Sequence, residues 1–392
     1  MKRPDSLRPP ASTTQPISGC PVHVAIIADV PWPTGSAGTV RVSRIAAALS
    51  SMGHRVSVFP IGHHGSVDPQ SSSSSFDLHA QNRFLTKFGV LGRQGIWRAF
   101  GIWRSLHRLR PDWVLFYGRR ATTVGCCSLF LPKKARLAID LVEHPCITLW
   151  ERGSLSVMGW DHYLGARWLL WRASLVLAIT PNLAARAECW SKAEVATLLG
   201  ITDAPGMPLG DRPSKFGYFG NWEAKDDGMC VARLAAEVLR SNRVLKFETI
   251  GRPPPESVVA VFREAGVEDR VISLGFVPDG SLSGVLSRWR LALLPRSAGG
   301  STGFSFPNRA ADLLSCGVPV AVRRAIGIGG LLEADGLVLL DGSIGEMAKS
   351  ILPVLCDESE FNRKSLEGYL AALRLSVEGE SVSNVMQKFG RI

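Results

Sequence analysis

The segment STGFSFPNRAADLLSCGVPV, residues 301–320, joins a Gly- and Ser-containing loop to a short helix and then to a buried strand. A loop that leads into a helix presents unpaired backbone N–H groups and the positive end of the helix dipole to whatever lies in front of it. Arg309 and Asp312 are three residues apart and therefore share one face of this helix. The pattern predicts that Arg309 pairs with a phosphate and that Asp312 accepts hydrogen bonds from two ribose hydroxyls. The alternative is a solvated ion pair within the helix, which contributes only about 0.2–0.5 kcal/mol.

Strands alternate with helices along the chain on both sides of this segment. Short apolar runs rich in β-branched residues mark the strands. They are predicted at 22–28, 56–60, 113–117, 137–142 and 175–179 in the first half, and at 216–219, 245–250, 271–274, 291–294, 318–322 and 337–340 in the second. This α/β alternation predicts two doubly wound, Rossmann-like domains that face a central cleft at the carboxyl ends of their strands.

The length of the chain and its Gly/Pro content predict where the domains divide. A chain of 392 residues exceeds one ordinary hydrophobic core, so two domains are expected. The Gly- and Pro-rich segment 199–213 predicts the link between them. We assign residues 21–205 to the first domain, 206–375 to the second and 376–392 to a C-terminal helix. Residues 1–20 are basic without an apolar core, which predicts a disordered tail rather than a secretory signal.

Positive charge is concentrated in the first half of the chain. Residues 1–210 contain 23 Lys and Arg against 12 Asp and Glu, a net charge of +11, whereas residues 211–392 contain 22 of each. This bias predicts an anionic partner: a phosphorylated lipid, a membrane surface or nucleic acid. A basic surface that only aids solubility is the alternative. We expect no nucleic-acid partner, because the basic half contains no recognisable recognition module. No apolar run reaches the roughly 18 to 20 residues of a membrane span, so we expect a cytoplasmic protein, at most peripheral on the inner face of the plasma membrane.

Aromatic and basic residues are combined in the helix predicted at 94–110. Its apolar residues gather on one side, while Arg98, Arg104 and Arg108 lie away from them. This composition suits a helix that lies on anionic lipid. The alternative is a helix that packs its aromatic side on the sheet and keeps its Arg in water. Three later tryptophans are expected in the core: Trp160, Trp168 and Trp171.

Small and basic residues follow several predicted strands. Gly35-Ser36-Ala37-Gly38 lies between the first strand and a helix, where small residues let backbone N–H groups approach a phosphate or carboxylate. An ordinary tight turn is the alternative. Gly220 and Lys225 follow the first strand of the second domain, and Arg252 and Arg296 end two others. Each basic residue alone fits a solvated surface, but together they predict a diphosphate site at one rim of the cleft.

Cysteine spacing gives no sign of a metal site. Eight Cys occur without a CxxC pair and without Cys/His ligand spacing. This usage indicates reduced thiols and makes a structural zinc unexpected. We expect no cofactor and no required metal.

These motifs resemble GT-B glycosyltransferases of the family 4 (group 1) type, the large group that includes bacterial lipopolysaccharide and exopolysaccharide sugar transferases. The first half carries GSAG, then Arg41 and LSSMGHRVSV, and the second carries FGYFGNWEAK, FETIG, ISLGFVP and LALLP. The most specific match is FPNRAADLLSCGVPV, with Arg309 at the family's basic position and Asp312 at its acidic one. The resemblance covers residues 22–340.

The resemblance implies a nucleotide-sugar donor bound mainly to the second domain. Asp312 would hold the ribose, and Arg309, Lys225 and the loop 35–38 would surround the diphosphate. Val277 would flank the base, and Ser301 and Gly303, in the loop before the donor helix, would also bind the donor. The sugar would pass, with retention of configuration, to a glycan or a polyprenyl-diphosphate-linked acceptor.

The acceptor side is expected at the end of the strand predicted at 137–142, where the resemblance has an acidic/His segment. Glu143 or His144 would orient the acceptor hydroxyl or relay its proton. A structural His at the strand end is the alternative. In a retaining transferase the leaving diphosphate can itself take that proton, so a dedicated base is not required.

Three positions depart from the family pattern. Phe304 stands where many members have an acidic sugar-binding residue, Asp312 is one methylene shorter than the usual Glu, and Lys225-Asp226 replaces the usual Lys-Gly pair. These departures leave two rival functions open. One is a nucleotide-sugar 2-epimerase, which needs no acceptor, and the other is an inactive protein that only binds a nucleotide-sugar.

Overall fold

Two parallel β-sheets with interleaved helices make up the part of the chain that the structure describes, which confirms the predicted α/β architecture. The structure is a computed structural model. It describes residues 20–30, 32, 36–61, 76–78, 93–118, 126–129, 131–203, 212–223, 226–296, 303–323 and 336–390. The predicted N-terminal tail lies outside these ranges except for Cys20.

The first sheet has the strand order β3-β2-β1-β4-β5-β6-β7, and each neighbouring pair is parallel. The order reverses between β1 and β4, which is where a crevice opens in such sheets. The strands are β1 (His23–Ala28), β2 (Arg55–Pro60), β3 (Asp77–Leu78), β4 (Trp113–Tyr117), β5 (Arg136–Leu141), β6 (Leu175–Ala178) and β7 (Glu194–Thr197). The helices are α1 (Ala37–Ser51), α2 (Arg93–Leu109), α3 (Cys126–Leu129), α4 (Ile147–Arg152), α5 (Val157–Arg172) and α6 (Pro181–Trp190). The sequence pattern did not predict β3 and β7, which are short edge strands with little apolar sequence.

The second sheet has the strand order β10-β9-β8-β11-β12-β13 and reverses between β8 and β11. Its strands are β8 (Lys215–Gly220), β9 (Lys246–Gly251), β10 (Val271–Ser273), β11 (Leu291–Leu294), β12 (Val320–Arg323) and β13 (Leu337–Leu340). Its helices are α7 (Gly228–Ser241), α8 (Glu256–Glu264), α9 (Asp279–Leu286), α10 (Asn308–Ser315), α11 (Ile344–Cys356) and α12 (Glu358–Arg374). The four residues of β11 are all buried because helices cover both faces of the sheet. The predicted donor helix is α10.

The end of the chain returns to the first sheet. Helix α13 (Glu380–Met386) and the 3₁₀ turn after it bury Met386 and Phe389 in the same apolar cluster as Val24 of β1. The indole Nε1 of Trp113 donates to the carbonyl oxygen of Phe389 at 2.8 Å. This crossing ties the last helix to the first domain rather than to the second.

Helix α5 places two tryptophans at the surface, so the expectation that they lie in the core is wrong. Ala166, Leu169 and Leu170 form the side of α5 that packs on the sheet. Trp160 and Trp171 fall on the opposite side of the helix and are exposed, because the helical period separates them from the buried positions. Trp168, between the two sides, is partly buried, and its indole donates to the Ser128 hydroxyl at 2.8 Å.

Helix α2 packs on the first sheet through Ile102 and Leu106, which are buried, while Arg104 and Arg108 are exposed. This agrees with the sheet-packing alternative for the predicted helix, although the side chains of 93–100 lie outside the described residues. None of the helices within the described ranges is long and apolar enough to cross a bilayer.

Candidate functional site

Arg309 lies in the first turn of α10 and reaches the carboxyl end of β8. Its Nη1 donates to the carbonyl oxygen of Phe219, and its Nη2 donates to the Asp226 carboxylate at 2.6 Å. Gly220 makes this approach possible, because a Cβ at that position would lie 2.4 Å from Nη1 of Arg309. The predicted basic residue therefore faces the edge of the sheet at which ligands bind in such folds.

The Asp226 carboxylate joins two arginines at this edge. Arg296 donates through Nε to Asp226 at 3.3 Å and through Nη1 to the Ser305 hydroxyl at 3.1 Å. The Tyr218 hydroxyl donates to the same carboxylate at 3.4 Å. Asp226 is only 1% exposed, so its charge is compensated by side chains rather than by water. With Arg309, the cluster has one net positive charge.

Burial and neighbouring charges change the acidity of this cluster. Burial lowers the pKa of Arg296, and repulsion from Arg309 adds to that effect while Asp226 opposes it. Burial, together with the nearby Asp226 charge, raises the pKa of Tyr218 to about 12. Tyr218 is therefore a neutral hydrogen-bond donor at physiological pH. The Asp226 carboxylate thus fixes two guanidinium groups and compensates half of their combined charge.

The loop that carries Asp226 has an unusual backbone. Trp222 and Asp227 adopt left-handed conformations, with φ of 59° and 52°, which are unfavourable for non-glycine residues by roughly 1–2 kcal/mol each. Trp222 N–H donates to the Tyr218 hydroxyl at 3.1 Å. Asp227 accepts from the backbone N–H of Cys230 at 3.3 Å and from Arg323 at 2.9 Å. These contacts hold the strained loop and so position Asp226 between its arginines.

Asp312 points toward the first domain. Its Oδ1 accepts from Nη1 of Arg44 on α1 at 2.8 Å. Arg44 also donates to the carbonyl oxygen of Ile201 at 2.6 Å and to Asp203 at 2.8 Å. The predicted ribose acid is therefore ion-paired across the cleft, and a ribose would share the carboxylate with Arg44, since its two oxygens offer about four acceptor positions.

Arg41, one turn before Arg44, anchors the same helix to the first sheet. It pairs with both oxygens of Asp140 at 2.7 and 2.8 Å, and it donates to the carbonyl oxygens of Leu198 and Leu199. Burial alone would lower the pKa of Arg41, but the attraction of Asp140 outweighs it and raises that pKa. Through its two arginines, α1 holds both the chain leaving β7 and the donor helix α10.

A cavity of about 230 Å³ lies at the carboxyl ends of β1, β4 and β5 in the first domain. Its lining includes three carboxylates, a phenol and an imidazole, from Asp29, Asp140, Glu143, Tyr117 and His162. His162 also forms a hydrogen bond with the Thr148 hydroxyl at 2.9 Å. Glu143 therefore lines this cavity, and its role toward an acceptor hydroxyl stays a prediction.

His144 belongs to an aromatic cluster instead of this cavity lining. Its ring stacks on Trp150 with centroids 4.3 Å apart, and the rings of Trp190 and Phe304 each lie 4.9 Å away. The backbone N–H of Cys146 donates to Nδ1 of His144 at 3.2 Å. Phe304 comes from the second domain, so this cluster closes one side of the cleft. Phe304, one of the three positions that depart from the pattern of the resembled family, thus packs against His144, the predicted catalytic residue.

The other predicted donor residues fall into three groups. Arg252 is exposed after β9, and Val277 and Gly303 are partly buried in loops of the second domain. Ser36 caps α1, accepting from the backbone N–H of Thr39 at 3.1 Å, and a Cβ on Gly38 would lie 2.8 Å from the Tyr117 hydroxyl. Three residues lie outside the described ranges: Gly35, Lys225 and Ser301. The phosphate role of the loop 35–38 therefore stays a prediction.

Sequence reasoning did not name Asp29, Arg44 and His162. Asp29 directly follows β1, and an acidic residue at the carboxyl end of a strand could have been predicted from the sequence as a candidate site residue. Arg44 gave no local signal, because its partner Asp312 lies 268 residues further along the chain. Within the described ranges, no group of three His, Cys, Asp or Glu side chains has a geometry suited to a metal ion.

Residues 213–357 match the family model for glycosyl transferases group 1. A relative, 2-deoxystreptamine glucosyltransferase from Streptomyces kanamyceticus, is 24% identical over 362 residues, covering 81% of this chain and 89% of the relative. Sucrose-phosphate synthase from Thermosynechococcus elongatus has a TM-score of 0.69 at 14% identity, covering 94% of this chain and 98% of that protein. The Anabaena protein HepE, solved with UDP and glucose, has a TM-score of 0.66 at 15% identity, covering 93% and 97%.

The same architecture occurs in a different enzyme class. A putative UDP-N-acetylglucosamine 2-epimerase from Listeria monocytogenes has a TM-score of 0.55 at 15% identity, covering 91% of this chain and 95% of that protein. The fold alone therefore does not separate transfer from epimerisation.

Proposed function

We propose that this chain, a GT-B glycosyltransferase whose second domain is a group 1 glycosyl transferase domain, moves a sugar from a nucleotide-sugar donor to a glycan hydroxyl. Transfer retains the anomeric configuration and requires no metal. The glycan is attached to a polyprenyl diphosphate at an anionic membrane surface, with which the basic first half associates peripherally.

The observation that carries the donor proposal is the pair of arginines at the carboxyl edge of β8 and β11. Arg309 uses two donors on Phe219 and Asp226, and a guanidinium has five N–H donors in all. Its side chain is 23% exposed, whereas that of Asp226 is 1% exposed. Asp226 thus holds Arg309 in place while part of its side chain stays accessible, which suits charge-assisted hydrogen bonds to a diphosphate.

The arrangement supports catalysis by electrostatic stabilisation. As the bond between sugar and diphosphate breaks, negative charge develops on the leaving oxygen, and preoriented Arg309 and Arg296 stabilise it without reorganisation. The leaving diphosphate takes the proton of the acceptor hydroxyl. Glu143, at the cavity, orients that hydroxyl, and His144 positions Phe304 and the wall of the cleft.

The donor proposal is tested by calorimetry with UDP and by product analysis with several sugar nucleotides. Arg309→Ala should weaken UDP binding by about 1.5–3 kcal/mol, the value of a hydrogen bond to a charged group. Arg243→Ala, at an exposed Arg of the same domain, is the matched control. Equal UDP affinity of Arg309→Ala and the wild type would sink the assignment.

Product analysis separates the rival functions. NMR of the glycoside product determines its anomeric configuration. A rate of sugar transfer that is unchanged by EDTA supports metal independence. An epimerised donor formed without acceptor would identify an epimerase. Nucleotide binding with no turnover of any donor, even with membrane extract, would identify an inactive binding protein.

A second acceptor class, an amino-substituted cyclitol, is favoured by the carboxylates of the cavity. Arg41 pairs with Asp140, while Asp29 and Glu143 add further carboxylates to the lining, and the Streptomyces relative is named for 2-deoxystreptamine. A cationic amine is attracted to such a lining. Transfer to 2-deoxystreptamine but not to the uncharged myo-inositol, with the preference reduced in Glu143→Gln, would support this acceptor over a glycan.

A further inference from the structure

Helix α5 and the turn before it present an apolar face to solvent. The exposed fractions are 95% for Leu155, 85% for Val157, 45% for Trp160, 54% for Leu164 and 72% for Trp171. We call these five residues the α5 face. Val157, Trp160, Leu164 and Trp171 follow a helical spacing of three, four and seven, so they lie along one side of the helix. Contiguous exposed apolar patches of this kind mark interaction sites.

The α5 face is separate from the packing of the domain. The sheet side of α5 is formed by Ala166, Leu169 and Leu170, which are fully buried. A helix that covers a sheet normally carries polar residues on its outer side. The outer apolar side of α5 is therefore not part of the packing against the sheet, and its exposure is not explained by the core.

Charge near the α5 face favours an anionic surface over a second copy of the chain. Exposed Arg152 and Arg167 flank the face, with one exposed carboxylate, Glu151, beside Arg152. Helix α3 contacts α2, and its Ser128 accepts from Trp168 of α5, so exposed Arg104 and Arg108 of α2 lie on the same side of the sheet. The whole excess of +11 lies in residues 1–210. Two such surfaces repel each other, whereas a bilayer with anionic lipids attracts them.

The two tryptophans also suit a bilayer. Their rings combine a large apolar area with one N–H donor, which favours the boundary between headgroups and acyl chains. The indole of Trp160 already donates to the carbonyl oxygen of Ser154 at 2.8 Å, so the ring can enter an apolar layer without an unpaired N–H.

We propose that the α5 face docks on an anionic lipid bilayer, with its aromatic and aliphatic side chains inserted at the headgroup boundary. Docking also places the candidate acceptor cavity one helix diameter, roughly 10–12 Å, from the lipid, because His162 on the opposite side of α5 lines that cavity. One part of this proposal rests on the proposed function: the reason for docking, which is to give the enzyme access to a lipid-linked acceptor. The docking itself does not depend on it.

Vesicle sedimentation tests the proposal with the full chain. The vesicles contain phosphatidylcholine alone or phosphatidylcholine with phosphatidylglycerol. The double variant Trp160→Ser, Trp171→Ser is compared with Val244→Ser, Leu370→Ser, which replaces two exposed apolar residues of the neutral second domain. We expect the α5 variant to lose binding to the anionic vesicles at least about tenfold, and the control to bind like the wild type.

A second pair of variants tests the charge. Arg152→Gln, Arg167→Gln should weaken binding to anionic vesicles and lose less at high salt, while Arg243→Gln, Arg288→Gln should bind like the wild type. Equal sedimentation of the wild type and the α5 variant would overturn the proposal. So would a dimer, seen by light scattering without vesicles, that the same tryptophan substitutions abolish, because the face would then be covered by a second copy.

Donor turnover in vesicle-free solution separates this proposal from the function on which it rests. The variant Trp160→Ser, Trp171→Ser should turn over sugar nucleotide at the wild-type rate, since both residues lie on the side of α5 opposite the buried residues that pack on the sheet. Vesicle binding without turnover of any donor would refute the proposed function alone. Turnover without vesicle binding would refute the docking surface alone.

Discussion

Asp226→Asn removes the charge between Arg296 and Arg309 while it preserves the size of the side chain. Both arginines then have no carboxylate between them. Breaking a buried pair from one side costs about 3–5 kcal/mol. Asp226 is 1% exposed and Arg296 9%, but Arg309 is 23% exposed and keeps some hydration. We therefore expect the lower end, about 3 kcal/mol, and at 2–4 °C per kcal/mol a fall in Tm of roughly 6–12 °C.

Inorganic pyrophosphate should restore part of this loss. The cluster has one net positive charge in the wild type and two in the variant, so the variant binds the anion more tightly. Saturation at about 100 times Kd stabilises the folded state by about 2.7 kcal/mol. At the same pyrophosphate concentration for both proteins, thermal unfolding should thus show a larger increase of Tm for Asp226→Asn than for the wild type. The pKa of Tyr218 should also fall below about 12, because the Asp226 charge contributes to raising it.

Glu237→Gln serves as the matched control, because Glu237 forms an exposed ion pair with Arg240 in the same domain. Its Tm should stay near that of the wild type, since exposed pairs contribute at most about 1 kcal/mol. An Asp226→Asn protein with wild-type Tm and an equal response to pyrophosphate would refute the reasoning, because the carboxylate would then not compensate the two arginines.

Three further predictions follow from contacts within and between the domains. A double-mutant cycle of Arg44→Met and Asp312→Asn, measured by urea unfolding, should give a coupling energy of about 1–2 kcal/mol. A coupling energy below about 0.5 kcal/mol would show that this ion pair does not hold the domains together. Phe304→Ala should cost about 2 kcal/mol of unfolding free energy through the lost contact with His144, whereas Phe276→Ala, at an 84% exposed ring, should stay within about 0.5 kcal/mol of the wild type. Burial lowers the pKa of His23 and His54 below 6.5, so the unfolded chain binds protons there that the folded chain does not. Stability should therefore be constant above about pH 6.5 and fall below it, with a slope of up to about 1.4 kcal/mol per pH unit for each His. His54→Gln should remove the contribution of one His from that slope, and an unchanged slope would contradict the assignment.

Local patterns were enough to predict the elements and the donor helix. The apolar runs of β1, β4 and β11 are buried on both faces, so their identity depends on neighbouring residues only. The segment that becomes α10 carries its own helix and its own stop at Cys316-Gly317. For this reason the α/β architecture and the position of Arg309 at the carboxyl edge of the sheet followed from the sequence.

The placement of neighbouring residues on different sides of an element needed the tertiary structure. Glu143 and His144 are adjacent, yet Glu143 lines the cavity and His144 packs on Trp150 and Phe304. Likewise, the aromatic content of α5 did not show which of its sides meets the sheet. Trp160 and Trp171 were expected in the core because composition alone does not distinguish an apolar side that packs from one that is exposed.

The sequence by itself therefore determined the two domains, the helix α10 and the presence of Arg309 and Asp312 on it, because short-range periodicity and turn residues control these features. Only the tertiary structure decided what the two residues contact. Arg309 meets Asp226 on the loop after β8, and Asp312 meets Arg44 on the first domain. These two ion pairs join residues that are 83 and 268 positions apart in the sequence. Which charged side chains neutralise Arg309 and Asp312 therefore depends on folding in three dimensions and not on spacing along the chain.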